Sequence, residues 1–292
     1  MILSMIIDGK KIAEEILQEL SKEIVALPGR APSLAVILVG EHPSSRLYVQ
    51  KKILACEKVG IHSIRRHLPS HTTENELLKE IEQFNTHPDI DGILVQLPLP
   101  KEIDAGRVAR WIAPEKDVDG FHPLNVGKLL MGEKDCFVPC TPLGIKTLLD
   151  RFQVPLEGKH VVLLGRSNVV GKPMASLLLQ DISGNNPTLT VVQKLSPNIE
   201  DHCRQADVLI VAIGQPKFVS ASMVKEGAVV IDVGINKIED WTTDRSRIVG
   251  DVDFEAVKAK CSLITPVPGG IGPMTIAMLL KNTLLAYKIY KT

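Results

Sequence analysis

Val161-Val162-Leu163-Leu164-Gly165-Arg166-Ser167-Asn168-Val169-Val170-Gly171-Lys172-Pro173 is the stretch whose reading decides the fold. Four apolar residues, two of them valines, read as a buried strand that a glycine ends. A polar Arg-Ser-Asn turn follows, and Val169, Val170, Gly171 and Pro173 lead into a helical run from Met174 to Gln180. Strand, glycine turn and helix start form the phosphate-binding corner of a mononucleotide fold, where backbone N–H groups and the positive end of a helix face an anion. The spacing is not Gly-x-Gly-x-x-Gly, because Ser167 stands at the second glycine. Nor is it a Walker A loop, because Pro173 follows Lys172 in place of Ser or Thr. Taken alone, the stretch fits an ordinary strand–turn–helix as well as a dinucleotide site.

The residues around it favour the dinucleotide site. A second strand pattern, Leu189 to Val192, ends in Gln193 and Lys194. In an NAD site that strand ends in Asp or Glu, which grips the ribose 2′-hydroxyl. An amide and a cation here, with Arg166 on the first turn, suit the 2′-phosphate of NADP; two solvated surface cations are the plainer alternative. The residues Ser183-Gly184-Asn185-Asn186-Pro187 read as a loop extension. Asp207 to Ala212 and Ala228 to Val233 are further buried-strand runs, each soon followed by glycine (Gly214, Gly234). Strands at this spacing with helical stretches between them make a parallel sheet wound by helices.

Upstream the chain alternates in the same way without a glycine phosphate turn. Helices are expected over Gly9 to Ala26, Ser45 to Val59, Thr73 to Phe84 and Ile103 to Trp111. Strands are expected over Ser33 to Val39, Ile64 to Leu68 and the run from Asp91 into Gln96. The fold class is therefore α/β with two α/β domains, the second a Rossmann-like parallel sheet, and a last helix, Met274 to Tyr290, returning to the first. The expected division is 1–145 plus 272–292 for a catalytic domain and 146–271 for a nucleotide domain.

The chain has 292 residues, of which 45% are hydrophobic and 23% charged, enough for a substantial core. Lysine plus arginine equals aspartate plus glutamate at 34 each, so no gross field favours nucleic acid or an anionic membrane. No apolar run is long enough to span a bilayer, and the N-terminus lacks the basic leader of a signal peptide. Five cysteines without a Cys-x-x-Cys pair fit a reducing cytoplasm, and no His/Cys set with zinc spacing completes a metal site.

Several residues carry potential chemistry. Tyr48 and Lys52 are spaced i, i+4 with Ser45 at i−3, so all three share one helix face. By itself this pair reads as a solvated lysine packed on an aromatic ring. A lysine partly desolvated beside another polar group would instead be fit for proton transfer. Gln96 ends an apolar strand just before Leu97-Pro98-Leu99-Pro100, where it needs buried partners or faces a ligand crevice. Asp117-Val118-Asp119-Gly120-Phe121 carries two carboxylates; Phe121 occupies a ligand position that calcium requires, so calcium is rejected. The run Pro266-Val267-Pro268-Gly269-Gly270-Ile271-Gly272-Pro273 combines a stiff path with close backbone approach, or is a rigid connection.

These motifs occur in one order: Ser45-x-x-Tyr48 with Lys52, Gly92 to Pro100, Lys116 to Phe121, Pro139-Cys140-Thr141-Pro142, Gly165 to Pro173, and Pro266 to Thr275. Together they closely resemble the bifunctional methylenetetrahydrofolate dehydrogenase/methenyltetrahydrofolate cyclohydrolase family over essentially the whole chain. The resemblance implies NADP-dependent oxidation of 5,10-methylenetetrahydrofolate to the methenyl form and its hydrolysis to 10-formyltetrahydrofolate, by a homodimer. It implies that Lys52 is the essential lysine, Tyr48 its stacking and hydrogen-bonding neighbour, Gln96 the residue that tunes it, and Asp119 the carboxylate that holds the pterin-like ring. Gly165, Arg166 and Ser167 match the NADP turn, with Lys194 and Ile235 also assigned to the cofactor. Pro98, Pro268, Gly269 and Gly270 are assigned to the tetrahydrofolate substrate. The chain departs from the family at Gln193-Lys194-Leu195-Ser196, where a His-Ser-x-Thr-like segment is common, and at Leu54, where some relatives carry a second basic residue. Two alternatives therefore stand beside the bifunctional enzyme: a dehydrogenase with weak or absent cyclohydrolase activity, and a non-catalytic NADP-binding protein.

Overall fold

Ser33–Val39 has no polar residue after its first, and it becomes a strand buried along its whole length at the centre of a small sheet. The computed structural model describes residues 5–240 and 245–290; the first four residues of the N-terminal stretch read above lie outside them. In chain order the elements are β1 (Met5–Ile6), α1 (Gly9–Val25), β2 (Ser33–Val39), α2 (Pro43–Val59), β3 (His62–Leu68), α3 (Glu74–Thr86), β4 (Gly92–Val95), α4 (Ala105–Trp111), α5 (Pro123–Met131) and α6 (Cys140–Arg151). There follow β5 (His160–Leu164), α7 (Gly171–Leu178), β6 (Thr188–Val192), α8 (Ile199–Arg204), β7 (Val208–Val211), β8 (Val229–Asp232), β9 (Asn236–Asp240), β10 (Arg245–Val249), α9 (Phe254–Val257), β11 (Leu263–Ile264) and α10 (Ile271–Tyr290).

The chain divides into two compact units. One contains Ala13–Leu129, Glu133–Cys140 and the chain from Ile276 onward. Its sheet has the order β3-β2-β4, all parallel. Ala35, Ile37 and Val39 of β2 pack with Leu77, Ile81 and Phe84 of α3 and with Ile93 and Val95 of β4. Burying each larger side chain of this kind contributes about 1.5–3 kcal/mol. Thr73 starts α3 with a capping box: Glu76 N–H donates to its hydroxyl, and the Glu76 carboxylate accepts from Thr73 N–H at 2.8 Å. Asp91, just before β4, is buried and accepts hydrogen bonds from both terminal nitrogens of Arg30 (2.7 and 2.8 Å) and from Ser33 N–H (2.7 Å). Asp91→Ala is expected to cost about 3 kcal/mol, because it strands a part-buried guanidinium and a buried N–H. A loss of unfolding free energy in urea smaller than a third of that would show that water replaces the carboxylate.

The other unit holds a six-stranded sheet of order β1-β11-β8-β7-β5-β6, parallel throughout. Val162, Leu164, Leu209, Val211 and Val230 lie in its core with Met223 and Val257. From β5 onward the strand order is second-first-third-fourth-fifth, so the winding direction reverses beside β5. The turn at Gly165 therefore leaves the sheet at a topological switch point, where ligands of doubly wound sheets bind. The three-stranded sheet has the same reversal, between β2 and β4, and Gln96 follows β4 directly.

Some boundaries differ from the sequence reading. Helix α7 starts at Gly171, three residues before the expected Met174, and α10 starts at Ile271. In both cases a proline (Pro173, Pro273) sits in the first turn, where its missing N–H has no helical partner to lose. Helix α5 and the β9–β10 ribbon are additional. No helix among the described residues is long and apolar enough to cross a membrane.

Candidate active site

Helix α2 brings Tyr48 and Lys52 out on one face, both half-buried. Lys52 Nζ donates to Gln96 Oε1 at 2.9 Å, and Gln96 Nε2 donates to Leu97 O at 2.6 Å. The second bond fixes which end of the amide faces the lysine, so the oxygen is held toward the cation. Gln96 N–H itself donates to Ile37 O, which anchors the residue across the mouth of β2. Burial pushes the Tyr48 phenol up from its ordinary range. Pro98 lies exposed two residues past Gln96, behind a cis Leu97–Pro98 bond.

The loop bearing Asp119 is built by residues to which the sequence reading assigned no role. Lys116 Nζ donates to the carbonyls of Phe84, Asn85 and His87 at 2.7–3.0 Å, binding the loop to the negative end of α3. Asp117 accepts from Phe121 N–H, His122 N–H and Asn125 Nδ2, and its backbone oxygen accepts from Gly120 N–H. Asp117 is thus consumed inside the turn; burial pushes its carboxyl up to about 7 despite these donors. Asp119 faces the other way. Burial raises its carboxyl, while the nearby Lys52 charge and a hydrogen bond with the Cys140 thiol pull it back down. From α10, Asn282 Nδ2 donates to Val118 O (2.9 Å) and Val138 O (3.0 Å), pinning the segment on either side of the Asp119 turn. The only sequence signal for this scaffold was the close Lys-Asp-x-Asp-Gly spacing; Asn125 and Asn282 carried none.

In the other unit, Gly165 has φ +132° and its N–H donates to Val192 O at 2.8 Å. A Cβ at Gly165 would overlap the Ala212 carbonyl, and one at Gly171 would overlap the backbone of Gly165 and Arg166. The two glycines let the turn close on β7 and on itself. Ser167 Oγ accepts from Val170 N–H at 3.1 Å and Gly171 N–H at 3.5 Å, and Ser167 O from Lys172 N–H. Those N–H groups are occupied within the turn, so attraction for an anion falls to the helix dipole and the neighbouring cations. Leu164 pairs with Val192 in register, so the turns bearing Arg166 and Lys194 leave adjacent strands side by side. Both cations are exposed, and among the described residues neither forms an ion pair with a carboxylate.

Because every strand of this sheet is parallel, the loops after β5, β6, β8 and β11 leave from one edge. That edge gathers Gly165, Arg166, Ser167, Lys194, the exposed Ile235, and the segment Pro268, Gly269 and Gly270. Within that last segment Gly269 O accepts from Lys10 N–H at 2.9 Å, and Gly270 packs against Gly9 so closely that a Cβ on Gly9 would overlap its oxygen. A tight glycine turn at a switch point, a helix start and two exposed cations on adjacent strand ends fit a dinucleotide carrying a 2′-phosphate.

A doubly wound unit with a nucleotide corner, joined to a second α/β unit carrying a lysine–glutamine pair, defines a two-unit nucleotide-dependent dehydrogenase. The chain belongs to the tetrahydrofolate dehydrogenase/cyclohydrolase family: its catalytic-domain model matches residues 7–119 and its NAD(P)-binding-domain model residues 139–291. It is 58% identical to the bifunctional protein FolD of Protochlamydia amoebophila over 97% of each chain. Among solved structures it is similar to the FolD methylenetetrahydrofolate dehydrogenase/cyclohydrolase of Campylobacter jejuni, with 47% identity, a TM-score of 0.93, and coverage of 98% of this chain and 99% of that one. The Trypanosoma brucei FolD, solved with NADP cofactor and an inhibitor, is 39% identical with a TM-score of 0.92 over 98% and 97% of the two chains.

Proposed function

We propose that Lys52, held by Gln96, is the group that serves hydrolysis in a bifunctional enzyme, with Asp119 and Tyr48 binding the substrate beside it. The chain oxidises 5,10-methylenetetrahydrofolate to the methenyl form with NADP and hydrolyses that product to 10-formyltetrahydrofolate. The observation that carries the assignment is the 2.9 Å bond from Lys52 Nζ to an amide oxygen at the end of β4, one helical turn from Tyr48 and in the field of Asp119.

Bound NADP supplies the acceptor for a hydride. For that step the chain's task is alignment, since no acid or base is required. Asp119 accepts hydrogen bonds from the amino-substituted ring, Tyr48 offers an aromatic face, and Pro98 borders them in the same unit; Pro268, Gly269 and Gly270 of the other unit are assigned to the substrate by the family resemblance alone. The methenyl carbon left behind is electrophilic. Water adds to it and loses one proton; as the ring C–N bond opens to the formyl product, the remaining hydroxyl proton is lost from the oxygen and the departing ring nitrogen takes up a proton, so that one proton is released overall. Lys52 stands ready to receive or stabilise that proton, and Gln96 keeps its nitrogen in place. Arg166 and Lys194 take the 2′-phosphate, Gly165 and Ser167 shape the turn beneath it, and Ile235 lines the same edge. The retained Lys52–Gln96 pair favours the bifunctional reading over a dehydrogenase alone or a mere binder, with Leu54 exposed at 55% as the sole departure near it on α2.

By function, the division falls between a tetrahydrofolate-binding part, built from the first 145 residues and the last helix, and an NADP-binding part over 146–271. The edge strand β6, with Val191 exposed, leaves a row of backbone groups open to pairing, which supports a homodimer. Five buried, unpaired cysteines support a reducing cytoplasm.

The test is a two-wavelength assay on methylenetetrahydrofolate with NADP and, separately, NAD. Reduced cofactor without accumulation of the methenyl species is the expected result; its accumulation would mean a dehydrogenase only. Arg166→Ser should weaken NADP about tenfold or more while leaving NAD affinity nearly unchanged, because only the former carries the extra phosphate. Equal losses for both nucleotides would remove Arg166 from the phosphate.

A further inference from the structure

Beyond the residues assigned so far, the six-stranded unit buries two carboxylates, Asp232 at 3% exposure and Asp251 at 0%. Among the described residues neither has a lysine or arginine partner. Burying two such charges is costly unless donors surround them. Here the donors are almost all main chain. Asp232 Oδ1 accepts from Gly234 N–H and Asp251 N–H, and Oδ2 from Val252 N–H, each at 2.9 Å. Asp251 Oδ2 accepts from Ile213 N–H (2.8 Å) and Gly214 N–H (2.9 Å), and Oδ1 from Asn236 Nδ2 (2.8 Å). Glycines make the room: a Cβ on Gly234 would overlap the Asp251 carboxylate, and one on Gly250 the Asp232 carboxylate.

The segments tied together in this way are not scattered. Ile213 and Gly214 follow β7 and adjoin Ala212, whose N–H donates to Leu164 O at 2.7 Å and whose carbonyl fills the space beside Gly165. Gly234, on the loop after β8, and Asn236, the first residue of β9, flank Ile235. Both loops leave the ligand-facing edge of the sheet. An apolar pair would have filled the same volume at less cost, but it could not hold five main-chain N–H groups and a side-chain amide in register.

We propose that Asp251, locked in place by Asp232, is a positioning residue for the cofactor. It sets the 213–214 loop beside the nucleotide corner and the 234–236 loop that presents Ile235. The proposal rests on the placement of NADP at the Gly165 corner. Asparagine at position 251 keeps the shape but replaces one acceptor oxygen with a donor. Either Ile213 and Gly214 or Asn236 then faces an N–H in place of an oxygen.

The experiment measures NADP affinity by calorimetry and, on the same protein without nucleotide, cyclohydrolase turnover of methenyltetrahydrofolate. Asp251→Asn is expected to weaken NADP about tenfold or more, with cyclohydrolase kcat/KM within about twofold of the parent protein because hydrolysis needs no nucleotide. Asn236→Ala, a milder change, should weaken NADP by about threefold and decides the matter if the first variant does not fold. Unchanged NADP affinity in the folded variants would overturn the proposal, as would a parallel fall of NADP binding and hydrolysis, which marks general damage. Arg166→Ser separates this failure from that of the corner itself. If it weakens NADP while the Asp251 and Asn236 variants do not, the corner stands and the proposal alone falls; if none of the three weakens NADP, both fall.

Discussion

Lys52→Met is expected to lower cyclohydrolase turnover by about 10²–10⁴-fold, the usual contribution of a positioned proton-transfer group, with a smaller loss of dehydrogenase activity. Methionine keeps the length and apolar stem of lysine while removing the nitrogen that meets Gln96 Oε1 at 2.9 Å. What disappears is the charge and the proton-handling atom, and the packing of α2 is largely retained. The asymmetry between the two activities is the informative part. Hydride transfer depends on alignment of substrate and nicotinamide, whereas hydrolysis must dispose of a proton from the attacking water. The measurement is methenyl accumulation during oxidation, checked against an unchanged circular dichroism spectrum. Full hydrolysis by the folded variant would remove Lys52 from the chemistry and leave the role of Gln96 without a basis.

The second large effect is expected at Gly165. A Cβ there overlaps the Ala212 carbonyl oxygen, a backbone atom just past the end of β7 that cannot turn aside, and φ is +132°, a region side chains rarely enter. Gly165→Ala must push the turn off the strand end, and Arg166 and Ser167 move with it. A displacement of about 1 Å at a positioning element can cost 10²-fold, so NADP affinity should fall by about that factor in a calorimetric titration. Strain of about 1–3 kcal/mol is expected in parallel, visible as a lower urea midpoint. Gly171→Ala meets the same kind of obstacle from the other side of the turn, where the backbone of Gly165 and Arg166 fills the space. Parent-like NADP binding by a folded Gly165→Ala protein would mean that this corner does not receive the cofactor.

Much of the architecture was legible in local pattern. Apolar runs such as Ser33–Val39 and Val161–Leu164 are too continuous for a surface element, and both are interior strands of their sheets. The i, i+4 spacing of Tyr48 and Lys52 puts them on one helix face whatever the fold around them. The helix expected over Thr73 to Phe84 forms over Glu74–Thr86, with Thr73 as its cap. The proline-containing helix starts are the exception, since Pro173 and Pro273 look like breakers in sequence and act as first-turn residues in space.

The chain order of apolar runs, turns and charged residues determined that this is an α/β protein with a nucleotide corner and a lysine on a helix face, because such periodicities follow from bond geometry alone. Tertiary structure decided how the paired aspartates differ: Asp117 is spent on the N–H groups of its own turn, while Asp119 meets the field of Lys52. It also decided that Gln96 meets Lys52 across 44 residues of chain, and that Asn282 braces the Asp119 turn from the last helix. These are contacts between distant segments. Their energy depends on the distance and burial that packing creates, and neither quantity exists until the sheets have formed.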